Sequence, residues 1–161
     1  MQDESWVEQY AEFSVNARSF DGDFDPELIT QTLGLEPSDT SRRGETVDDE
    51  PVNASTWSWV GPRRIEFRCE AVLDDVLETF GPVADLLALA RDRYDVEYTV
   101  RLVIDMHGFV ETSSLGEPDF LVATPAPIFN PATLSRLVAL GCRFVLEQTV
   151  HADAHEYRQP E

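Results

Sequence analysis

The sequence predicts an α+β fold, a mainly antiparallel sheet with helices packed on one face, from three observations. Period-two alternation stands at 13–17 and again at 96–106, the rhythm of half-buried strands. Apolar residues recur at spacings of three and four through 73–94, the rhythm of a helix. Two further short helices carry one punctuation, Phe24-Asp25-Pro26-Glu27 up to Gly34 and Phe129-Asn130-Pro131-Ala132 up to Gly141. Each sits between strands, so helices layered on a sheet follow. The shared punctuation raises a β–α–β pseudo-repeat, although ordinary helix starts and stops explain it equally.

Taken in order, Phe13, Val15 and Ala17 alternate with Ser14, Asn16 and Arg18, and Asp21-Gly22-Asp23 ends that strand. Asp25 is placed to cap a helix whose first position is Pro26, and Gly34 to end it in the left-handed conformation. Residues 36–55 read as a polar loop. Thr56 to Val60 is an aromatic-rich strand, and Ile65, Phe67 and Cys69 alternate with charged residues, which predicts a hairpin over 56–70. Gly81-Pro82 divides the long helix into two abutting pieces. Val96 to Met106 is the clearest strand. Residues 107–127 are loop-like, with a short strand at Phe120-Leu121-Val122; a helix with Leu134, Leu137 and Val138 and a last strand over 142–150 follow. The expected organisation is an N-terminal extension over 1–11, a single α+β domain over 12–150 and a polar tail over 151–161.

Charge narrows the function. The 161 residues carry 31 acidic and 12 basic side chains, a formal charge of −19, and every basic residue is Arg. Direct nucleic-acid binding is disfavoured, since gripping phosphates takes a cationic face. Anionic membrane surfaces are disfavoured for the same reason. A basic protein partner is compatible, although acidity also serves solubility alone. Cys69 and Cys142 have no metal-ligand spacing. The acidic start and the lack of a long apolar run lead to the expectation of a cytoplasmic protein.

The N-terminal half carries a further pattern. A strand precedes Asp25-Pro26-Glu27-Leu28-Ile29-Thr30, then come Leu33-Gly34-Leu35-Glu36-Pro37-Ser38, Arg43-Gly44-Glu45 and Thr56-Trp57-Ser58. With the Leu140-Gly141 stop and last strand, this resembles the bacterial family catalogued as domain of unknown function 4279, over about residues 12–150. The segment 108–127 departs from the family pattern. The resemblance implies no established activity; some members look like immunity proteins encoded beside toxins.

Six residues stand out as candidate binding groups. Arg42 and Arg43 could grip a phosphate or carboxylate through the guanidinium fork, or pair with local acids and fix the loop. Trp57 and Trp59, two apart on a strand, share one face and are either core or partner anchors. Phe109 and Phe120, with Leu115 and Leu121, could form the apolar centre of an interface. Asp21, Asp23 and Asp25 lack the glycine position and closing Glu of a calcium loop. His151 and His155 are spaced for one helical face but lie in the polar tail. No catalytic residue, metal site or cofactor is expected, and no nucleophile motif is present. The expected function is that of a non-catalytic acidic protein-binding domain, an immunity-type inhibitor of a bacterial toxin or a binder of another basic partner. The alternative is a small enzyme or ligand-binding domain with a pocket lined by the arginines and tryptophans.

Overall fold

In the computed structural model, which describes residues 6–65, 68–112, 118–121 and 127–153, the first strand β1 spans Trp6–Ala17. The alternation visible from Phe13 runs back to Trp6, so the part of the expected extension from Trp6 onward is sheet. There follow α1 (Pro26–Leu33), β2 (Asp39–Ser41), β3 (Thr46–Val47), β4 (Glu50–Pro51), β5 (Thr56–Val60) and β6 (Arg64–Ile65). After these come α2 (Cys69–Phe80), a 3-10 turn at Gly81–Val83, α3 (Ala84–Tyr94), β7 (Val96–Thr112), β8 (Pro118–Leu121), α4 (Pro131–Ala139) and β9 (Cys142–Asp153).

The fold is α+β with a mixed, mostly antiparallel sheet. β7 lies at the centre, pairing antiparallel with β1 over twelve residue pairs and parallel with β9 over another twelve. Parallel neighbours need a long crossover, and the chain from β8 through α4 supplies it. α1 leads to β2, which β5 separates from β1, whereas β7 and β9 are direct neighbours. The outer strands β5 and β6 both pair with β1, at Glu12–Asn16 and at Glu8–Gln9.

That pairing corrects the expected hairpin over 56–70. Pro62 has no N–H to give a ladder, and the Gly61 N–H donates to the Ala11 carbonyl at 2.8 Å, keeping both short strands on one edge of β1. Cys69 is not a strand residue. Cys69, Val72, Leu73, Val76, Leu77 and Phe80 are spaced by three and four and all are buried, so α2 begins about one turn earlier than the expected start at 73. Ile65 faces solvent at 75% exposure. The loop 36–55 holds β2 and the separate two-strand hairpin β3–β4. The last strand continues to Asp153, into the expected tail.

Helices α1, α2, α3 and α4 lie on one face of the sheet. Val7, Ala11, Phe13 and Val15 of β1 and Val96, Tyr98, Val100, Leu102 and Ile104 of β7 point into them. The centre is aromatic: Phe13 stacks on Phe80 at 3.8 Å between ring centroids, and Trp57 meets both edge-on at 6.5 and 6.4 Å. Each such large side chain contributes about 1.5–3 kcal/mol by leaving water. No helix covers the opposite face among the described residues, which leaves the alternate residues of β1, β7 and β9 outward.

Candidate functional site: an acidic hairpin on an arginine-stitched base

The loop that precedes α1 and the loop that precedes β5 are tied together by short polar side chains. Asp25 caps α1, its Oδ1 accepting from the Glu27 N–H at 2.9 Å, and the same oxygen receives the Arg42 Nη2. Asp23 Oδ1 accepts from the Phe24 N–H at 2.9 Å and from the Ser55 hydroxyl. Ser55 is buried, and its oxygen accepts from the Arg43 N–H at 3.0 Å. Arg43 Nη1 reaches across to the Asp21 carbonyl at 3.0 Å. One carboxylate oxygen each of Asp23 and Asp25 is thus engaged by protein donors. Among the described residues no group of three or more His, Cys, Asp or Glu side chains converges as a metal site.

On this base stands the β3–β4 hairpin. Its foot is closed by the Val52 N–H donating to the Glu45 carbonyl at 2.8 Å and the Gly44 N–H to the Val52 carbonyl at 2.9 Å. Its tip is Asp48-Asp49, both at positive φ, 51° and 64°. Two consecutive left-handed residues make the turn whose twist suits a two-residue hairpin. Asp is one of the few non-glycine types to accept that conformation. Glu45, Asp48, Asp49 and Glu50 are all exposed, so four carboxylates stand on a short, ordered projection. Beside it a cleft of about 370 Å³ is lined by Asp23, Phe24, Asp25, Arg42, Arg43 and Ser55. Arg43 and Ser55 also line a neighbouring cleft of about 620 Å³ with Phe20, which is fully exposed.

The six expected site residues separate into three groups. Arg42 and Arg43 come together at the hairpin base, and each is already engaged, Arg42 by Asp25 and Arg43 by the Asp21 carbonyl. Trp57 is corrected: it is fully buried, and its Nε1 donates to Thr30 Oγ1 at 3.0 Å, so it anchors α1 to the sheet instead of offering a surface. Trp59 packs edge-on against Phe80 at 5.5 Å, and neither tryptophan lines the arginine cleft. Both rings instead pack between the sheet and α2, against Phe80. Phe109 and Phe120 lie on β7 and β8, in the pairs Phe109↔Leu121 and Val110↔Phe120; their side chains, and Leu115, lie outside the described residues.

Sequence spacing did not reveal a ring stack on the helix-free face. Trp6, His107 and His151 occupy matched positions on β1, β7 and β9. Their centroids are 3.7 Å apart for Trp6–His107 and 4.7 Å for His107–His151. His151 is thus a strand residue, its Nε2 3.3 Å from Asp105 Oδ1, and His155 lies outside the described residues. Only the register, which joins positions far apart in sequence, could have shown this. Burial pushes the Cys142 thiol up to about 12, which keeps it protonated and a poor nucleophile.

Fold and site together define a small acidic α+β domain that carries four exposed carboxylates on one hairpin. The chain belongs to the family described as domain of unknown function (DUF4279), whose sequence model matches residues 8–151. No curated protein and no solved structure matches it. No helix among the described residues is long and apolar enough to cross a membrane.

Proposed function

We propose that this protein is a non-catalytic binding domain that docks a basic protein through the β3–β4 hairpin and the acidic loop before α1. The observation that carries the reading is the ordered Asp48-Asp49 turn, which holds exposed carboxylates in a fixed array. Residues 21–50 contain Asp21, Asp23, Asp25, Glu27, Glu36, Asp39, Glu45, Asp48, Asp49 and Glu50 against Arg42 and Arg43 alone. The two arginines neutralise the base and leave the tip negative. Such a surface accelerates encounter with a cationic one and selects against acidic partners. Phe20, exposed beside the same cleft, supplies an apolar anchor of the kind that dominates interface energetics. The specific form of the proposal is an immunity-type inhibitor in a bacterial host, covering the cationic working face of a toxin.

The test is co-expression with the basic product of a neighbouring reading frame, followed by capture at low and moderate salt. The wild-type protein should retain it, less well as salt rises, and suppress its toxicity. The double variant Asp48→Asn, Asp49→Gly keeps the turn and removes its charge; it should associate about tenfold more slowly or worse. Failure of the wild type to retain any basic neighbour at either salt overturns the reading, as does a variant that binds as fast as the wild type.

A further inference from the structure

We infer that β9 is a dimerisation edge, where a second copy of this chain pairs antiparallel about a two-fold axis through Val145. β9 is twelve residues long, and β7 occupies one of its edges from Tyr98↔Cys142 to Phe109↔Asp153. Among the described residues no strand takes the other edge. A long unpaired edge is a template for another strand, and chains commonly blunt it with Pro or a bulge. β9 has neither, nor any Gly, and its ladder with β7 is unbroken.

The order of side chains points to the occupant. By register with β7, Arg143, Val145 and Glu147 stand on the helix-free face, and Phe144 and Leu146 on the helix face. Centred on Val145, a second copy sets Arg143 opposite the partner's Glu147 and Glu147 opposite the partner's Arg143. The same register puts Phe144 opposite the partner's Leu146. Opposite charges in facing positions stabilise a strand pair and like charges destabilise it. Centring on Glu147 instead would face two carboxylates, which disfavours that alignment. The pairing also extends contacts already present. Arg143 Nη2 lies 3.5 Å from Glu97 Oε2, and Glu147 Oε2 lies 3.6 Å from Arg101 Nε. Dimerisation joins these into a line from Glu97 through Arg143 to the partner's Glu147 and the partner's Arg101. Leu146, 38% exposed in one copy, gains an apolar neighbour.

Each copy carries a formal charge of −19, so long-range repulsion opposes association and salt relieves it. The dimer therefore strengthens with salt, opposite to the capture of a basic protein.

Sedimentation of the full chain over a range of concentration and salt tests the inference. A monomer–dimer equilibrium should appear, with more dimer at higher salt. Arg143→Glu and Glu147→Arg should each weaken it at least tenfold, and an equal mixture of the two should restore a dimer, because the mixed pair is again complementary. Glu147→Arg also makes the chain less negative, so its loss cannot come from overall repulsion. Val145→Cys should give a disulfide-linked dimer under mild oxidation, since that residue faces itself. Circular dichroism and the melting temperature of each variant check its fold. A chain that stays monomeric at every salt, a Glu147→Arg variant that dimerises like the wild type, or a mixture that fails to recover overturns the inference. A monomer that still captures a basic protein removes this inference alone; a dimer that captures none removes the proposed function alone.

Discussion

The Tyr98 hydroxyl donates to the Leu87 carbonyl at 2.6 Å inside the core, fastening the central strand β7 to α3. The same ring carries the Arg91 guanidinium 5.1 Å above its centroid, and Arg91 Nη2 donates on to the Leu140 and Gly141 carbonyls at 2.9 and 3.1 Å. One strand residue thus couples α3 to the end of α4 and to the start of β9. Two regions far apart in sequence, Leu87–Tyr98 and Leu140–Gly141, meet there, and the junction uses the Tyr98 hydroxyl proton.

Alkaline pH should dissolve that junction. Burial pushes the Tyr98 phenol from its ordinary 10.0 up to about 12, and the Cys142 thiol from 9.0 to about 12. In both groups the folded state holds the proton more tightly than the unfolded chain does. Their contribution is complete below the unfolded values and is lost as pH climbs toward the folded ones. Denaturant titrations should show stability falling between about pH 9 and pH 12. Tyr98→Phe should cost about 1 kcal/mol at neutral pH for the lost hydrogen bond and give a shallower fall above pH 10. A variant curve parallel to that of the wild type would contradict this.

What the sequence made legible was local. The caps at Asp25 and Asn130, the left-handed Gly34 and Gly141, and the break at Gly81-Pro82 are all written in neighbouring residues, and the structure has them. What it hid was pairing. Ile65, Phe67 and Cys69 alternate like a strand, yet Cys69 also begins the three-and-four spacing of α2; period alone could not choose between them. The parallel placement of β9 and the Trp6–His107–His151 stack depend on register across distant strands. At the candidate site, Arg42 and Arg43 were visible as a basic pair in an acidic chain. Their engagement by Asp25 and Asp21 was not visible, because the loops that carry them meet only after folding. The Asp48-Asp49 turn left no glycine signal to read.

The aromatic centre should be the most sensitive part of the core. Phe80 stacks on Phe13 and meets Trp57 and Trp59 edge-on, with none of its surface exposed. Phe80→Ala removes all three contacts and leaves a cavity beneath the sheet, at a cost of about 3–5 kcal/mol. Trp57→Phe keeps most of the volume but drops the bond to Thr30, and should cost less. Urea midpoints measured at constant slope would rank the two, and a Phe80→Ala loss below that of Trp57→Phe would refute the ranking.

Charge and shape separate at the hairpin tip. Asp48 and Asp49 occupy positive φ at a steric cost that Asn and Gly tolerate better. The double variant Asp48→Asn, Asp49→Gly should therefore leave the melting temperature unchanged or raise it, by up to about 1 kcal/mol in stability. Arg42→Ala acts in the reverse sense. It costs little stability, since an exposed ion pair contributes about 0–1 kcal/mol, but it frees the base from Asp25. Hydrogen exchange at the Val52 and Gly44 amides should quicken in that variant and not in the hairpin double variant.

Two glycines in the same backbone conformation should respond differently to an added methyl. Gly34 and Gly141 end α1 and α4 at φ of 65° and 68°, where any Cβ costs about 1–2 kcal/mol. Around Gly34 that Cβ would meet open space. At Gly141 it would run into the Arg91 guanidinium, which is held in place by the carbonyls it bonds and by the Tyr98 ring. Gly34→Ala should show the conformational penalty alone, and Gly141→Ala that penalty plus the displacement of Arg91. The excess should vanish in an Arg91→Ala background, a coupling that a double-mutant cycle isolates because the two residues touch. Equal losses for the two glycines, or an excess that survives removal of the arginine side chain, would mean that Arg91 does not brace the α4–β9 corner.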